Sequence, residues 1–189
     1  MSRADERRGI TSLCEYHCKD LNAGPTNRSK PVMENVITTR KLLASEPLPW
    51  DLLLLADEEV QAVERYVYQS DVYVVEIDGR IVGTYVLFPI DEHTGEVKAI
   101  AVDEEFQNRG IGKLMLKDAD VMAEQKGFDE LIIGTPTIAR KQLSIYRKAG
   151  YEMYTVKKNF YLENYTHPIF EDGVRIIDMQ MLKKSICKK

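Results

Sequence analysis

The spacing of apolar residues divides the chain into a weakly patterned beginning and a strongly patterned remainder. Residues 1–32 show no sustained period of 2 or 3.6 and end in turn-forming residues. We expect them to form a loosely attached extension or to derive from an upstream start codon, and a short helix packed on the domain is the alternative. Residues 33–189 are expected to form one domain, because Met33 opens a much better patterned segment.

The first half of the patterned segment is predicted to be mainly β-structure. β-Branched and alternating apolar residues indicate strands at residues 36–43, 71–77, 80–90 and 96–103, with one or two helices within residues 50–70. Asp78-Gly79 joins two of these strands, and an Asp-Gly pair between β-rich runs is the strongest short-range signal of a hairpin. The last three strands are therefore expected to form an antiparallel meander.

The second half alternates helices with strands. Apolar positions at helical spacing predict helices over residues 111–127 and 139–150. Strands are predicted at residues 128–135, 151–162 and 174–182. The expected fold is α/β, with a mixed central sheet of about six to seven strands flanked by about four helices.

Composition narrows the classes of function. A net charge of -4 over 189 residues provides no basic stripe of the kind that nucleic-acid binding needs. No apolar run approaches the ~20 residues needed to span a bilayer, and no apolar signal segment follows the charged N-terminus. We therefore expect no nucleic-acid partner, no membrane partner and, with three cysteines, a reducing cytoplasmic location.

Cysteine and histidine positions offer only an incomplete metal site. Cys14 and Cys18 flank His17, but no second Cys/His pair supplies the remaining ligands, and Cys187 lies in the C-terminal tail. We expect free thiols and no metal cofactor.

The segment from Gln107 to Lys113 is the strongest candidate for a ligand-binding loop. It lies between a predicted strand and a predicted helix and reads Gln-Asn-Arg-Gly-Ile-Gly-Lys. It fails as a Walker A loop because Leu114 stands where Ser or Thr is needed, and as a dinucleotide fingerprint because Met115 replaces the third glycine. Two interpretations stay open, a plain strand-to-helix connection and a phosphate cradle.

The cradle interpretation has a physical basis. Glycines let backbone N–H groups approach an anion closely, and the helix that follows adds its positive N-terminal end. Arg109 and Lys113 place formal charge beside Gly110 and Gly112. The combination suits a diphosphate that carries no metal ion.

In its context the loop is similar to a signature of the GNAT superfamily of N-acetyltransferases. Gln-x-x-Gly-x-Gly follows a strand ending in AIAVD, and the later run LSIYRKAGYEMY resembles the second signature of that family. The resemblance covers residues 36–182 and implies the GNAT fold with acetyl-CoA as co-substrate. It implies that the pyrophosphate is bound by Gln107, Asn108, Arg109, Gly110, Ile111, Gly112 and Lys113.

The resemblance also implies a catalytic pair. Glu96 aligns with the general-base glutamate of histone acetyltransferases in this superfamily, and Tyr146 occupies the position of the usual general-acid tyrosine. The alternatives are a solvated glutamate at a strand end and a tyrosine of the core. Strand alternation is expected to place one set of side chains on a common face: Glu96, Lys98, Ile100 and Val102.

Further co-substrate contacts follow from the same resemblance. Backbone N–H groups near Ala101 and Val102 are expected to polarise the thioester carbonyl, with Ile100 beside them. Thr137 stands where relatives often carry an asparagine that contacts the pantetheine arm, so this contact is in doubt. Because no cysteine lies between residues 19 and 186, we expect direct attack in a ternary complex rather than a covalent acetyl-enzyme.

The acceptor is expected to be a primary amine, on a small molecule or a peptide. Acidic clusters at residues 57–59, 91–92 and 103–105 favour a cationic amine through long-range attraction, or are solvated faces. A non-catalytic acyl-CoA-binding module on the same fold is the alternative function, and nucleotide binding is disfavoured by the failed fingerprints. Pairing of a C-terminal strand across a homodimer is open, since nothing in the residues requires it.

Overall fold

The computed structural model of the protein describes residues 36–186. The predicted extension at residues 1–32 lies outside the described residues, as do Cys14, His17, Cys18 and Cys187. The strands are β1 Ile37–Lys41, β2 Asp71–Ile77, β3 Arg80–Pro89, β4 Thr94–Val102, β5 Glu130–Pro136, β6 Glu152–Lys157, β7 Phe170–Glu171, β8 Val174–Arg175 and β9 Met179–Ser185. The helices are α1 Trp50–Ala56, α2 Val60–Val67, α3 Ile111–Lys126, α4 Arg140–Lys148 and α5 Phe160–Asn164, with a 3-10 turn at Glu104–Phe106.

Seven strands form one mixed sheet in the order β1-β2-β3-β4-β5-β9-β6. All neighbouring pairs are antiparallel except β4 and β5, which run parallel. The predicted hairpin is present, and Asp78 and Gly79 adopt the positive φ values of 51° and 80° that a tight two-residue turn requires. The α/β fold and its mixed sheet are thus confirmed, and α5 is a short helix beyond the four expected.

Helices cover both faces of the sheet. α1 and α2 bury Leu53, Val63 and Val67 against one face. α3 covers the other face with the helically spaced stripe that the sequence pattern predicts: Ile111, Met115, Ala119 and Ala123. Within residues 36–186, no helix combines the length and the apolar character needed to cross a bilayer.

β4 and β5 pair only over their first halves. Their register runs from Thr94 opposite Glu130 to Val97 opposite Ile133, where it ends. Beyond this point β4 continues along β3 while β5 continues along β9. The two strands diverge and leave a gap inside the sheet, called the fork below, which is bounded by residues 98–102 of β4 and 134–136 of β5.

A β-bulge lies where the fork begins. β3 pairs Val86 with Ala99 but Leu87 with Val97, so Lys98 is an extra residue in β4. An extra residue interrupts the alternation of side chains along a strand.

The bulge overturns the expectation that Glu96, Lys98, Ile100 and Val102 share one face. Val97, Ile100 and Val102 pack with the core beneath α3. Glu96 and Lys98 instead line a cavity on the opposite side, together with Ala62 and Tyr66 of α2.

The predicted strand at residues 151–162 ends early. β6 stops at Lys157, and α5 begins three residues later. The carboxylate of Asp178 accepts hydrogen bonds from Lys158 Nζ (2.8 Å) and from the backbone N–H of Asn159 (2.9 Å). Asn159 has a positive φ of 56°, which turns the chain out of the sheet.

The predicted strand at residues 174–182 is displaced towards the C-terminus. Only Val174–Arg175 pairs locally, in a two-stranded hairpin with β7, and β9 runs from Met179 to Ser185. Its polar end is held because Lys183 forms an ion pair with Glu130 (3.0 Å) and Lys184 forms one with Asp120 (2.5 Å). The prediction from local apolarity was therefore wrong about the position of this strand, because pairing with β5 and β6 sets its extent.

β9 is an interior strand rather than a free edge. It pairs with β5 on one side and with β6 on the other. The C-terminal strand is thus unavailable for pairing across a homodimer. The outermost strands of the described sheet are β1 and β6.

The close approach of Phe128 to β4 gives a test of this packing. A Cβ added at Gly95 would lie 2.7 Å from the Phe128 ring and 3.0 Å from Leu131. We predict that Gly95→Ala lowers the free energy of unfolding by about 1–3 kcal/mol, as overpacking does. Urea denaturation measures the loss. Gly112→Ala is the matched control, because its Cβ meets nothing within 4 Å, and equal stability of the two variants would contradict the prediction.

Candidate active site

The loop between β4 and α3 is shaped by two residues with positive φ. Asp103 opens it by accepting a hydrogen bond from the N–H of Glu105 (3.0 Å). Asn108 then adopts a φ of 60° and Gly110, the N-cap of α3, a φ of 83°. Gly110 needs to be glycine on conformational grounds alone, since a side chain at this φ is strained.

The start of α3 presents unused hydrogen-bond donors. The first intrahelical bond runs from Leu114 N–H to Gly110 O (3.0 Å). The N–H groups of Ile111, Gly112 and Lys113 precede it, so they have no acceptor within the helix. The Ile111 side chain is buried in the core and holds this turn in place. Donors at a helix N-terminus are suited to an anion.

The fold does not require glycine at position 112. Its φ is not in the left-handed region, and a Cβ at this position would meet nothing within 4 Å. Alanine would also favour the helix by up to about 1 kcal/mol. The space beside Gly112 is therefore open to a ligand that approaches the backbone.

The charged side chains around the loop favour the binding of an anion. Arg109 and Lys113 are exposed at its rim. The acidic residues that precede the loop are countered by Arg80, which pairs with Asp103 (2.7 Å) and Glu105 (3.0 Å). The predicted cradle thus keeps its two cations while two nearby carboxylates are occupied elsewhere.

The fork exposes backbone groups of β4. Asp103 N–H donates to Val82 O on β3 (2.9 Å). Because N–H groups alternate sides along a strand, Ala101 also points to β3, whereas Ile100 and Val102 point into the fork. Gln107 Nε2 donates to Val102 O (3.2 Å) at the end nearer the loop. Of the predicted backbone donors, Ala101 is thus turned away from the site.

A cavity of about 260 Å³ opens on the α1/α2 side at the start of the fork. Glu96 and Lys98 of β4 and Gly134 of β5 belong to its lining, so it adjoins the point where the strands separate. The remaining lining is mostly aromatic and charged: Asp57, Ala62, Arg65, Tyr66, Phe88, Phe160, Asn164, Tyr165 and Met179.

Glu96 is buried and held by an ion pair. Its carboxylate lies 2.8 Å from Lys98 Nζ, and the two side chains are 8% and 28% exposed. The Lys98 ammonium also lies 5.7 Å from the centre of the Phe88 ring. Lys98 is two residues after Glu96, so both side chains project to the same side of β4, and the bulge separates them from the side that carries Ile100 and Val102.

Tyr146 is part of the core beneath α3. It lies on α4, and its ring is 6.3 Å from that of Tyr151. Burial raises the pKa of its phenol to about 12. The hydroxyl therefore stays protonated at neutral pH and can act as a donor.

Thr137 lies in an exposed turn between β5 and α4. Its backbone N–H donates to Asp178 O (3.1 Å), which anchors the turn to the segment before β9. It does not line the cavity beside Glu96.

Asp57 is the acidic group on the far side of the cavity. Tyr66 donates a hydrogen bond to its Oδ2 (3.4 Å), and the Tyr165 hydroxyl and the backbone N–H of Glu59 also bond to its side chain. Its Oδ1 is buried and has no hydrogen-bond partner among residues 36–186. Burial is the main cause of a raised pKa for Asp57.

Glu59 connects the two loops that border the cavity. Its Oε1 accepts hydrogen bonds from the N–H (2.8 Å) and hydroxyl (2.8 Å) of Thr166 and from the N–H of His167 (3.2 Å). These bonds lower the pKa of the Glu59 carboxyl. The turn between α1 and α2 is thereby fastened to the segment after α5.

Several lining residues could not be found from the sequence. Tyr165, Phe160 and Met179 come from a region whose elements were misassigned, and no local spacing links them to Asp57. Alternation along the strand already places Lys98 on the side of Glu96, whereas the turn of both side chains away from Ile100 and Val102 depends on a bulge, for which the sequence carries no signal. Among residues 36–186, no group of three or more His, Cys, Asp or Glu side chains is arranged to hold a metal ion.

Comparison with known proteins identifies relatives of this arrangement. A family model for the acetyltransferase (GNAT) domain matches residues 68–153. The chain is 36% identical over 133 residues to the uncharacterized N-acetyltransferase YvbK of Bacillus subtilis. This alignment spans 70% of this chain and 86% of that protein.

Solved structures agree with the sequence comparison. A GNAT family acetyltransferase from Elizabethkingia anophelis with acetyl-CoA bound is 40% identical, with a TM-score of 0.77, over 79% of this chain and 97% of that one. An IAA acetyltransferase from Bacillus cereus is 32% identical with a TM-score of 0.75, over 79% and 99%. A Bacillus subtilis acetyltransferase in complex with CoA is 32% identical with a TM-score of 0.73, over 79% and 98%.

The buried ion pair gives a prediction about stability. Lys98→Met leaves the Glu96 carboxylate buried without its cation, and we expect the free energy of unfolding to fall by about 1–3 kcal/mol, less than for a fully buried pair. Adding Glu96→Gln should restore part of the loss. Lys183→Met is the control, because its pair with Glu130 is more exposed. Urea denaturation that shows equal losses for the two lysines would contradict the prediction.

Proposed function

Because the chain belongs to the GNAT superfamily of N-acetyltransferases and is an acyltransferase, we propose that it acetylates a primary amine by direct attack on acetyl-CoA in a ternary complex. The observation that carries the proposal is the fork, which leads from the cradle at α3 to the cavity beside Glu96. Four residue steps from Lys98 to Val102 give about 13 Å of strand edge. An extended arm fits along this edge, with phosphates at one end and the acetyl group at the other.

The cradle supplies the contacts that a pyrophosphate needs. The N–H groups of Ile111, Gly112 and Lys113 donate to its oxygens, Gly112 leaves room for close approach, and Arg109 adds charge. Asn108 and Gly110 shape the turn, while Gln107 closes on Val102 O. The Ile100 and Val102 backbones bond the amide-bearing arm, and Ala101 supports them from the β3 side.

We assign Glu96 as the group that receives the amine proton. An alkylammonium with a pKa near ~10.4 is mostly protonated at neutral pH, so the attacking nitrogen has to lose a proton. Glu96 borders the cavity at the start of the fork, next to where the acetyl group would lie. It accepts the proton directly or through one water as the N–C bond forms and the C–S bond breaks.

Tyr146 is proposed to stabilise the departing sulfur. Its phenol has a pKa of about 12, whereas a thiol has one near ~8.5, so complete transfer of the proton to the thiolate is uphill. A hydrogen bond from the hydroxyl to the sulfur avoids that cost and still disperses the charge. Thr137 remains a candidate contact to the arm through its exposed turn.

The non-catalytic alternative differs from this proposal in one measurable respect. A binding module would take up acetyl-CoA without releasing thiol in the presence of any amine. A screen of amines with detection of CoA thiol is therefore the deciding experiment. The cytoplasm is the proposed compartment, since three cysteines suit a reducing environment, and a homodimer would use the β1 or β6 edge.

The open space beside Gly112 provides a test of the cradle. We predict that Gly112→Ala keeps or raises thermal stability but weakens acetyl-CoA binding by about 10-fold or more, since the methyl group takes the place of a phosphate oxygen. Isothermal titration calorimetry measures the affinity. Lys117→Ala, one turn further along α3, is the control and should bind normally. If Gly112→Ala binds acetyl-CoA with unchanged affinity, the assignment of the phosphates to this loop is wrong.

The catalytic assignments give a second test. Glu96→Gln should lower kcat/KM by about 10²–10⁴-fold, because it removes the proton acceptor. Tyr146→Phe should reduce kcat and leave acetyl-CoA affinity within about 2-fold, because only the hydrogen bond to sulfur is lost. Steady-state kinetics by thiol release reports both effects. If Glu96→Gln keeps full activity, a group other than Glu96 accepts the amine proton.

A further inference from the structure

The ionisable groups that line the cavity are unequally paired. Glu96 is neutralised by Lys98 at 2.8 Å. Arg65 is exposed at the rim and donates to the backbone O of Asn164 (3.0 Å). Asp57 forms no ion pair among residues 36–186, so it is the lining carboxylate whose charge has no cation beside it.

The surroundings of Asp57 supply only part of what a carboxylate requires. Two tyrosine hydroxyls, from Tyr66 and Tyr165, and the backbone N–H of Glu59 bond to its side chain, while Oδ1 has no hydrogen-bond partner within the described chain. A buried acceptor left without a donor is costly, and a buried charge without a counterion more so. Rotation about the Cβ–Cγ bond, which is soft for aspartate, can bring either oxygen to the cavity.

The walls next to Asp57 also favour positive charge. Tyr66, Tyr165, Phe88 and Phe160 contribute aromatic rings to the lining. Lysine ammonium groups already lie 5.7 Å from the ring centres of Phe88 and Phe160. Aromatic faces attract cations most strongly where water is excluded.

We propose that Asp57, with Tyr66 and Tyr165, binds a second, positively charged group of the acceptor, so that the substrate class is a diamine or another amine that carries a separate cation. The proposal rests on the acetyl transfer proposed above. One nitrogen of the acceptor reaches Glu96 at the fork and is acetylated, while the other stays protonated at Asp57. Asp57 is thus a specificity-determining residue and takes no part in the proton transfer.

Acceptors of equal size, with and without a second positive charge, show whether that charge determines the preference. The full-length protein is assayed with diamines of three to six carbons and with monoamines of equal heavy-atom number, such as 1,4-diaminobutane against n-pentylamine, and with 4-aminobutanoate. We expect the best diamine to exceed its monoamine by about 10- to 100-fold in kcat/KM, the usual worth of a charge-assisted hydrogen bond. Asp57→Asn should abolish this preference, mainly through KM.

Controls distinguish local pairing from long-range attraction. Glu58→Gln removes the same charge from an exposed neighbour that does not line the cavity, and it should keep the diamine preference. If Asp57→Asn proves unstable, the ratio of diamine to monoamine in the unaltered protein decides the question. Calorimetric titration of the CoA-loaded protein with 1,4-diaminobutane and n-pentylamine measures the same preference without turnover.

The outcomes separate the two proposals. Acetylation of monoamines and diamines at equal kcat/KM, or a preference for 4-aminobutanoate, overturns the Asp57 subsite and leaves acetyl transfer standing. Equal losses of preference in Asp57→Asn and Glu58→Gln also overturn it. Tight binding of acetyl-CoA with no thiol release from any amine overturns the proposed function, and the calorimetric preference for the diamine then decides the subsite alone.

Discussion

The separation of β4 from β5 is the constraint on which the rest of the site depends. A parallel pair that stayed in register would satisfy its backbone groups internally and leave no room inside the sheet. The pairing of β4 with β5 ends after Val97, next to the bulge at Lys98, and beyond this point each strand stays paired with its other neighbour. Unpaired backbone groups therefore persist in a rigid setting, where a ligand can satisfy them at little cost in conformational entropy.

Electrostatics divides the site into two unlike ends. The loop before α3 has helix N–H groups and the cations Arg109 and Lys113, which suit phosphates. The cavity at the other end contains two carboxylates: Glu96 forms an ion pair with Lys98, and Asp57 forms no ion pair within residues 36–186. The two ends of the fork therefore attract charges of opposite sign, an anion at the loop before α3 and a cation at the cavity.

Local signals in the sequence predicted the elements that are defined by local chemistry. The Asp78-Gly79 hairpin and the apolar stripe of α3 follow from turn geometry and helical spacing, and the glycine loop could be recognised between them. The bulge at Lys98 could not, because it is defined by the register of β4 against β3, which no local residue pattern records. The course of residues 158–178 was also missed, since Asp178 fixes it through contacts distant along the chain. Phe160, Asn164 and Tyr165 of this segment line the cavity beside Glu96.

The hydrogen bonds to Glu59 have a consequence for how this enzyme can change over time. One carboxylate oxygen fastens the turn after α1 to Thr166 and His167, more than a hundred positions later in the chain. These bonds connect two surface segments that border the cavity, while much of the cavity lining comes from strands of the sheet, among them Phe88, Glu96 and Gly134. Substitutions at Glu59 or Thr166 can therefore change the shape of the cavity without altering the loop that precedes α3. The lining of the cavity and the loop before α3 can thus change independently within one small domain.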